Sequence, residues 1–238
     1  MKTKTKALVL ALCAVLLVVS TVFVTMAFLT STTEVVKNTF TVGDVNITLD
    51  EAIVDEYGNP GKIINGEFSK VEKIDDAGRR TENEYKLIPG HSYVKDPTVT
   101  VTKTSEQCFV RALVSVSESD MKKLTTAFTD DNANGVFLLQ NFVGGWDNNV
   151  WAYVSCVQNN GNFVYEFRYV GSKSTDGIVD ARTEAVKLEP LFATVEMPDD
   201  IDNDTLAGLK DLKINVVAHA IQSDGFKSAA EVWGAWKN

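Results

Sequence analysis

A chain of 238 residues has room for one domain of ordinary size with a sizeable core. Its 32 acidic residues outnumber 23 basic ones, giving a net charge of −9. Such a surface repels phosphates and anionic lipid, which excludes nucleic acid as an expected partner.

At the N-terminus, Lys2, Lys4 and Lys6 precede an apolar run with no further charge until Glu34. This is a basic n-region followed by an apolar h-region. The run is long enough to span a bilayer, which needs roughly 20 residues. Thr25 and Ala27, however, hold the minus-three and minus-one positions of a small-x-small cleavage pattern, and no Lys or Arg cluster follows as a stop-transfer signal. Residues 1–27 therefore read as a signal peptide cut before Phe28, with a retained anchor as the alternative. Either way the body of the chain leaves the cytoplasm. Without the leader, 20 basic residues face 32 acidic ones, a net charge of −12.

Past a short polar stretch, period-two alternation dominates. Strands are expected over residues 38–49, 96–103, 108–117, 149–158, 163–170, 190–197 and 212–222, all rich in Val, Thr, Phe, Tyr or Trp. Asn160 and Gly161 join two of them in a hairpin, because both tolerate the positive φ that such a turn needs. Two short helices interrupt the pattern. Residues 117–128 open with Ser117 and Asp120 in capping-box spacing, and residues 228–236 do so with Ser228 and Glu231 ahead of Val232, Trp233 and Trp236. Residues 53–80 are polar and carry Gly58, Pro60, Gly61 and Gly66, which reads as an elaborated loop or hairpin. With no βαβ alternation, the expectation is an all-β, jelly-roll-like antiparallel sandwich with short peripheral helices, including a C-terminal amphipathic one.

Cys108 and Cys156 are the two thiols outside the leader, each on the apolar side of an alternating run. They form either a disulfide, as an exported chain allows, or two separate buried thiols.

The block from the leader's Thr25-Met26-Ala27 through residues 28–49 resembles the start of the TasA/camelysin family, whose members are exported through a SipW-type signal peptidase. Ala27, Phe28, Asn38, Thr39, Phe40, Thr41 and Gly43 match in order. Residues 85–101, 188–198 and 219–236 are similar to later blocks of clostridial members, in consistent order, while residues 53–84 and the loop near Asp130 depart from the pattern. The resemblance implies a jelly-roll sandwich at residues 38–238 and a donor segment at residues 28–37. It also implies self-association into fibres at the cell surface or in a biofilm matrix. The N-terminal stretch of one mature subunit, carrying Phe28, Leu29, Val35 and Val36, would complete the sheet of the next by β-augmentation. A cell-wall or matrix component is the further partner such a protein would meet.

Enzymatic readings are weaker. Camelysin carries a metallopeptidase label, yet the chain has only His91 and His219, far apart and without an H-E-x-x-H helix. Neither cysteine has a catalytic context, and no G-x-S-x-G occurs. Calcium is the cofactor candidate: Asp130, Asn132 and Asn134 before Gly135 follow EF-hand spacing, although Asn141 replaces the terminal Glu. Asp200, Asp202 and Asp204 repeat the spacing with Thr205 in place of Gly. Short Asp/Asn clusters are more often solvated turns. Trp146, flanked by glycines, raises the alternative of a monomeric adhesin or glycan-binding sandwich, whereas Trp151 reads as core.

If Thr25 and Ala27 define the cut, N-terminal sequencing of secreted material reads Phe-Leu-Thr-Ser. Material that keeps the apolar run and stays with membranes would show the anchor instead.

Overall fold

The computed structural model describes residues 44–127 and 141–235. One antiparallel sheet orders β13 (Val186–Lys187), β6 (Thr98–Val101), β1 (Ile47–Ala52) and β4 (Arg79–Arg80). The larger sheet orders β11 (Ser174–Thr175), β12 (Ile178–Val179), β7 (Cys108–Ser117), β10 (Asn162–Tyr169) and β9 (Trp151–Asn159). Its last member, β15 (Asn215–Gln222), pairs with β7 along the edge opposite β10. A small third sheet joins β5 (Ser92–Val94), β14 (Thr194–Glu196) and β8 (Val143–Gly144), and β2 (Gly61–Ile64) pairs with β3 (Glu67–Lys70) as a separate hairpin.

The expected all-β sandwich is what these residues form, and alternation explains it. On β10, Phe163, Tyr165, Phe167 and Tyr169 are buried while the intervening residues are not. They meet Val99 and Val101 of β6 and Val110, Ala112 and Val114 of β7 in one apolar cluster. Burying each such large side chain stabilises the fold by roughly 1.5–3 kcal/mol. Strand β7 coincides with its sequence-based bounds and is buried on both faces at its start, because Phe109 and Arg111 lie under the C-terminal helix. The hairpin between β9 and β10 turns at Asn160 (φ 49°) and Gly161 (φ 76°), and the β2–β3 hairpin at Asn65 (φ 54°) and Gly66 (φ 87°). Both pairs have the left-handed geometry of a type I′ turn. The polar segment at residues 53–80 is thus a hairpin followed by a single 3-10 turn (Ile74–Asp76) and β4.

Among the described residues three α-helices are peripheral: α1 (Glu118–Ala127), α2 (Asn203–Gly208) and α3 (Ala229–Ala235). At the start of α1 the Asp120 N–H donates to Ser117 Oγ at 3.1 Å, and the Ser117 hydroxyl donates back to Asp120 Oδ2 at 2.8 Å. Before α3, the Glu231 N–H donates to Ser228 Oγ at 3.3 Å and Glu231 Oε2 accepts from the Lys227 N–H at 2.9 Å. Val232 and Trp233 then lie on Phe109 and Ile221, as the amphipathic reading expects. Trp236 lies outside the described residues.

Three expectations need correction. The strand expected at 190–197 shrinks to Thr194–Glu196, because residues 188–193 carry the chain from β13 into the small sheet. Among the described residues the first strand runs over Ile47–Ala52, leaving 44–46 outside it and ending three residues past the expected Leu49, and residues 38–43 lie outside the described residues. Of the two alternatives for Cys108 and Cys156, the structure has separate thiols and no bridge between them. Strand β10 lies between them: Cys156 pairs with Tyr165, which pairs with Val114. Two strand spacings put Cys156 about 10 Å from Val114, and Cys108 is six residues further along β7, about 20 Å. A disulfide needs Cα atoms within roughly 7 Å. Alternation also breaks on β9, because the register slips between Glu166 and Phe167 and leaves Val154 bulged and 41 % exposed. Trp151, Tyr153 and Cys156 all pack against the core.

Burial pushes the Cys108 thiol up to about 12, so it stays protonated and inert. Thiol titration of the native mature chain should modify Cys156 alone, and both cysteines after unfolding. Absence of any reactive thiol in the unfolded, unreduced chain would restore the bridge.

Candidate functional site

A groove of about 1030 Å³ opens between β1 and β15, walled by residues 81–87 and by the segment leading into β15. Leu49, Leu87, Leu209, Leu212, Ile214 and Val216 line it together with charged residues that include Glu82, Glu84, Lys210, Asp211 and Lys213. Backbone parity shows why it is a groove and not a closed seam. The Ser223 N–H donates to Gln107 O, and His219 stands opposite Arg111. In an antiparallel ladder the backbone groups of Asn215, Val217, His219 and Ile221 therefore face β7, and those of Val216, Ala218 and Ala220 face away. On β1, the Thr102 N–H donates to Asn46 O and the Ile53 N–H to Gly78 O, so Ile47 and Leu49 turn their backbone groups away from β6. Among the described residues no strand pairs with either of these edges. The two strands come within 8 Å between Cα atoms without being hydrogen-bonded to each other as neighbours in a sheet.

One end of the groove is a buried polar junction where β1 leaves the sheet. Having lost ladder partners, the Ala52 N–H donates to Asp96 Oδ1 at 2.6 Å and the Val54 N–H to Asn83 Oδ1 at 3.2 Å. Asp96 is 4 % exposed and needs a cation. Arg79 supplies it with its NH1 group, while its Nε reaches Asp50 Oδ1 at 2.7 Å. Beside this triad, Lys95 Nζ donates to Glu51 Oε2 at 2.7 Å, and Asn83 Nδ2 donates to Glu51 Oε1 at 2.9 Å. Lys95 Nζ also stands 5.9 Å from the centroid of the Tyr85 ring. Burial, with the Glu51 and Asp96 charges behind it, holds the Tyr85 phenol well above its ordinary value. Sequence reading missed these residues. The available signal was Asp50 and Glu51, two acids that break apolar alternation within a strand.

The residues singled out in the sequence fall elsewhere. Thr25, Ala27, Phe28, Leu29, Val35 and Val36, and the first calcium candidate Asp130, Asn132 and Asn134, lie outside the described residues. Asp202 caps α2: its Oδ1 accepts from the Thr205 N–H at 2.8 Å and its Oδ2 from the Thr205 hydroxyl at 2.6 Å. Asp200, Asp202 and Asp204 thus form a helix-entry turn, and among the described residues no three His, Cys, Asp or Glu side chains converge to hold a metal ion. Trp146 is not a presented platform. Its indole N–H donates to Trp151 O at 2.8 Å and its ring meets Phe167 edge-on.

The histidines occupy separate structural sites. His91 Nε2 sits 2.7 Å from Tyr57 O, with its ring against Tyr93. His219 accepts from Arg111 Nε at its Nδ1, 3.2 Å away. Arg111 is clamped between the Trp233 ring (4.5 Å to the centroid) and Glu166 of β10, which also binds Arg168. Burial first, then the Arg111 charge, hold the His219 imidazole below its ordinary value, with Glu166 partly opposing. A folded value below the unfolded one means the unfolded chain binds the proton more readily. Stability is then complete above the unfolded value, near pH 6.5, and is lost as pH falls toward the folded one. Chemical denaturation at about pH 7 and pH 5 should show a smaller loss for His219→Gln than for the parent. Equal losses would remove His219 from the account.

No protein-family model matches the chain, and neither does any curated protein or any solved structure.

Proposed function

We propose that the chain is an exported structural protein of the cell surface or extracellular matrix. In this reading it assembles into fibres by donating residues 28–36 of one subunit to the β1–β15 groove of the next. The role is structural, with no substrate turned over. Its support in sequence is the set of TasA/camelysin-like blocks in register.

The observation that carries the reading is the edge of β15. The other edges are shorter or interrupted: β4, β8, β11 and β13 are two residues long, β2, β3 and β5 three or four, and β9 is broken by its bulge. Strand β15 offers eight residues, Asn-Val-Val-Ala-His-Ala-Ile-Gln, without proline, lysine or bulge. An incoming strand of nine residues matches that length. Main-chain bonds to Val216, Ala218 and Ala220 would supply affinity, and the apolar residues of the lining would take its alternate side chains.

Two variants test this. Deleting residues 28–36 should leave a folded sandwich that fails to polymerise, and the corresponding synthetic peptide should bind and cap it. Ala218→Pro removes an N–H that points away from β7, so the β7 ladder survives while donor pairing is lost. Electron microscopy should find folded monomers in both cases. Fibres as abundant as those of the parent in either variant would defeat the assignment of donor or acceptor, respectively.

A further inference from the structure

We propose that Lys95 and Asn83 become joined by an intramolecular isopeptide bond, with Glu51 as the carboxylate that moves the protons. The inference is independent of fibre assembly and rests on the polar end of the groove. There one carboxylate, only 6 % exposed, holds an amine on one oxygen and a carboxamide on the other. The Lys95 side chain is itself 12 % exposed, so water is largely kept from both reactants. The Asn83 amide is fixed at both ends: Nδ2 donates to Glu51 Oε1 and to Ala52 O at 2.9 Å, and Oδ1 accepts from the Val54 N–H. That N–H points at the oxygen on which charge would develop. The neighbouring cation Arg79 is already paired with Asp50 and Asp96. Lys95 and Glu51 therefore face each other as a separate pair.

The chemistry closes without any co-reactant. A proton passes from Lys95 Nζ to Glu51 Oε2, giving a neutral amine and a neutral acid. The amine lone pair attacks Asn83 Cγ, a C–N bond forms, and the carbonyl π pair moves to Oδ1 beside the Val54 N–H. Glu51 delivers its proton to Nδ2 and takes one from the attacking nitrogen. Collapse of the tetrahedral adduct breaks the Cγ–Nδ2 bond and expels ammonia, which leaves as ammonium as Glu51 returns to carboxylate. In sum, an ammonium and a carboxamide give a secondary amide and ammonium, with no change of oxidation state. Proximity drives it, since both groups are held on one carboxylate in a site shielded from water. The product would close residues 83–95 into a covalent ring and lock the loop that walls the groove.

Mass spectrometry of the intact mature chain decides the matter. The expected mass is lower than the sequence mass by one ammonia, about 17 Da. Trypsin should then release residues 81–86 joined to residues 87–103, because acylated Lys95 resists cleavage. Lys95→Arg and Glu51→Gln should each return the full mass and unlinked peptides. Parent protein at full sequence mass, with residues 87–95 recovered as a free peptide, overturns the proposal. So does an ammonia loss without the linked peptide, which would be a succinimide at an Asn-Gly pair such as Asn65–Gly66. A link persisting in folded Glu51→Gln would overturn the role of Glu51.

Discussion

The buried carboxylate of Asp96 is the constraint on which the groove depends. Strand β1 has to leave the sandwich after Ala52, and there its backbone donors run out of ladder partners. Asp96 takes one of them and so becomes a buried anion that must be paired. Arg79 pairs it, and that pairing fixes β4 against β1 through Glu51–Arg80 and Ala52–Arg79. Asn83 takes the next donor and, through Glu51 and Lys95, ties the following loop to the end of β5. Breaking one partner of such a network typically costs 3–5 kcal/mol, roughly, because the other is left charged and buried. Residues 79–87, polar and glycine-flanked, thereby become a defined wall.

How the edges are managed follows from the same geometry. A sandwich of short strands has many edges, and those of β4, β8, β11 and β13 end within two residues, too short to template another chain. Strand β9 is longer but bulged at Val154, which disrupts its ladder. Strand β15 is different because its length is dictated by β7, the ten-residue axis of the larger sheet, with which it pairs from Asn215 to Gln222. A partner that long leaves an equally long second edge, and here the wall built on Asp96 lines the same groove.

Local signals carried the framework of the fold. Strand β7, the Asn160–Gly161 turn and the capping residues Ser117 and Ser228 rest on neighbours in sequence, where alternation, positive φ and hydrogen-bonding hydroxyls act over a few residues. The two-residue strands β11, β12 and β13 have no periodicity to read. The bulge at Val154 puts Trp151 and Tyr153 on the same inward face as Cys156, which strict alternation forbids, because one extra residue shifts every later side chain by one. The polar junction was invisible for another reason. Asp50, Glu51, Arg79, Asn83, Lys95 and Asp96 are spread over four segments, and only the fold makes them neighbours. Trp146, read as a loop platform, turned inward because its indole N–H finds Trp151 O.

The outer face of the larger sheet explains why the β15 edge would be a good template and not a fraying one. Strand β15 is held on one side by its ladder with β7 and on its outer face by α3, where Ile221 meets Val232 and Trp233, and His219 meets Arg111. Its inner side chains Val216, Ala218 and Ala220 pack on the core. Its ladder and inner face are therefore fixed along the strand, and its outer face at the His219–Ile221 end, before any partner arrives. Binding to a strand already ordered avoids the conformational entropy of ordering it, roughly 1–2 kcal/mol per backbone residue. In the proposed assembly the incoming segment alone would bear that cost, so a short stretch with only a few apolar side chains would suffice. Under the proposed assembly, anything that loosens α3, including protonation of His219 beside Arg111, would weaken the template without touching the groove.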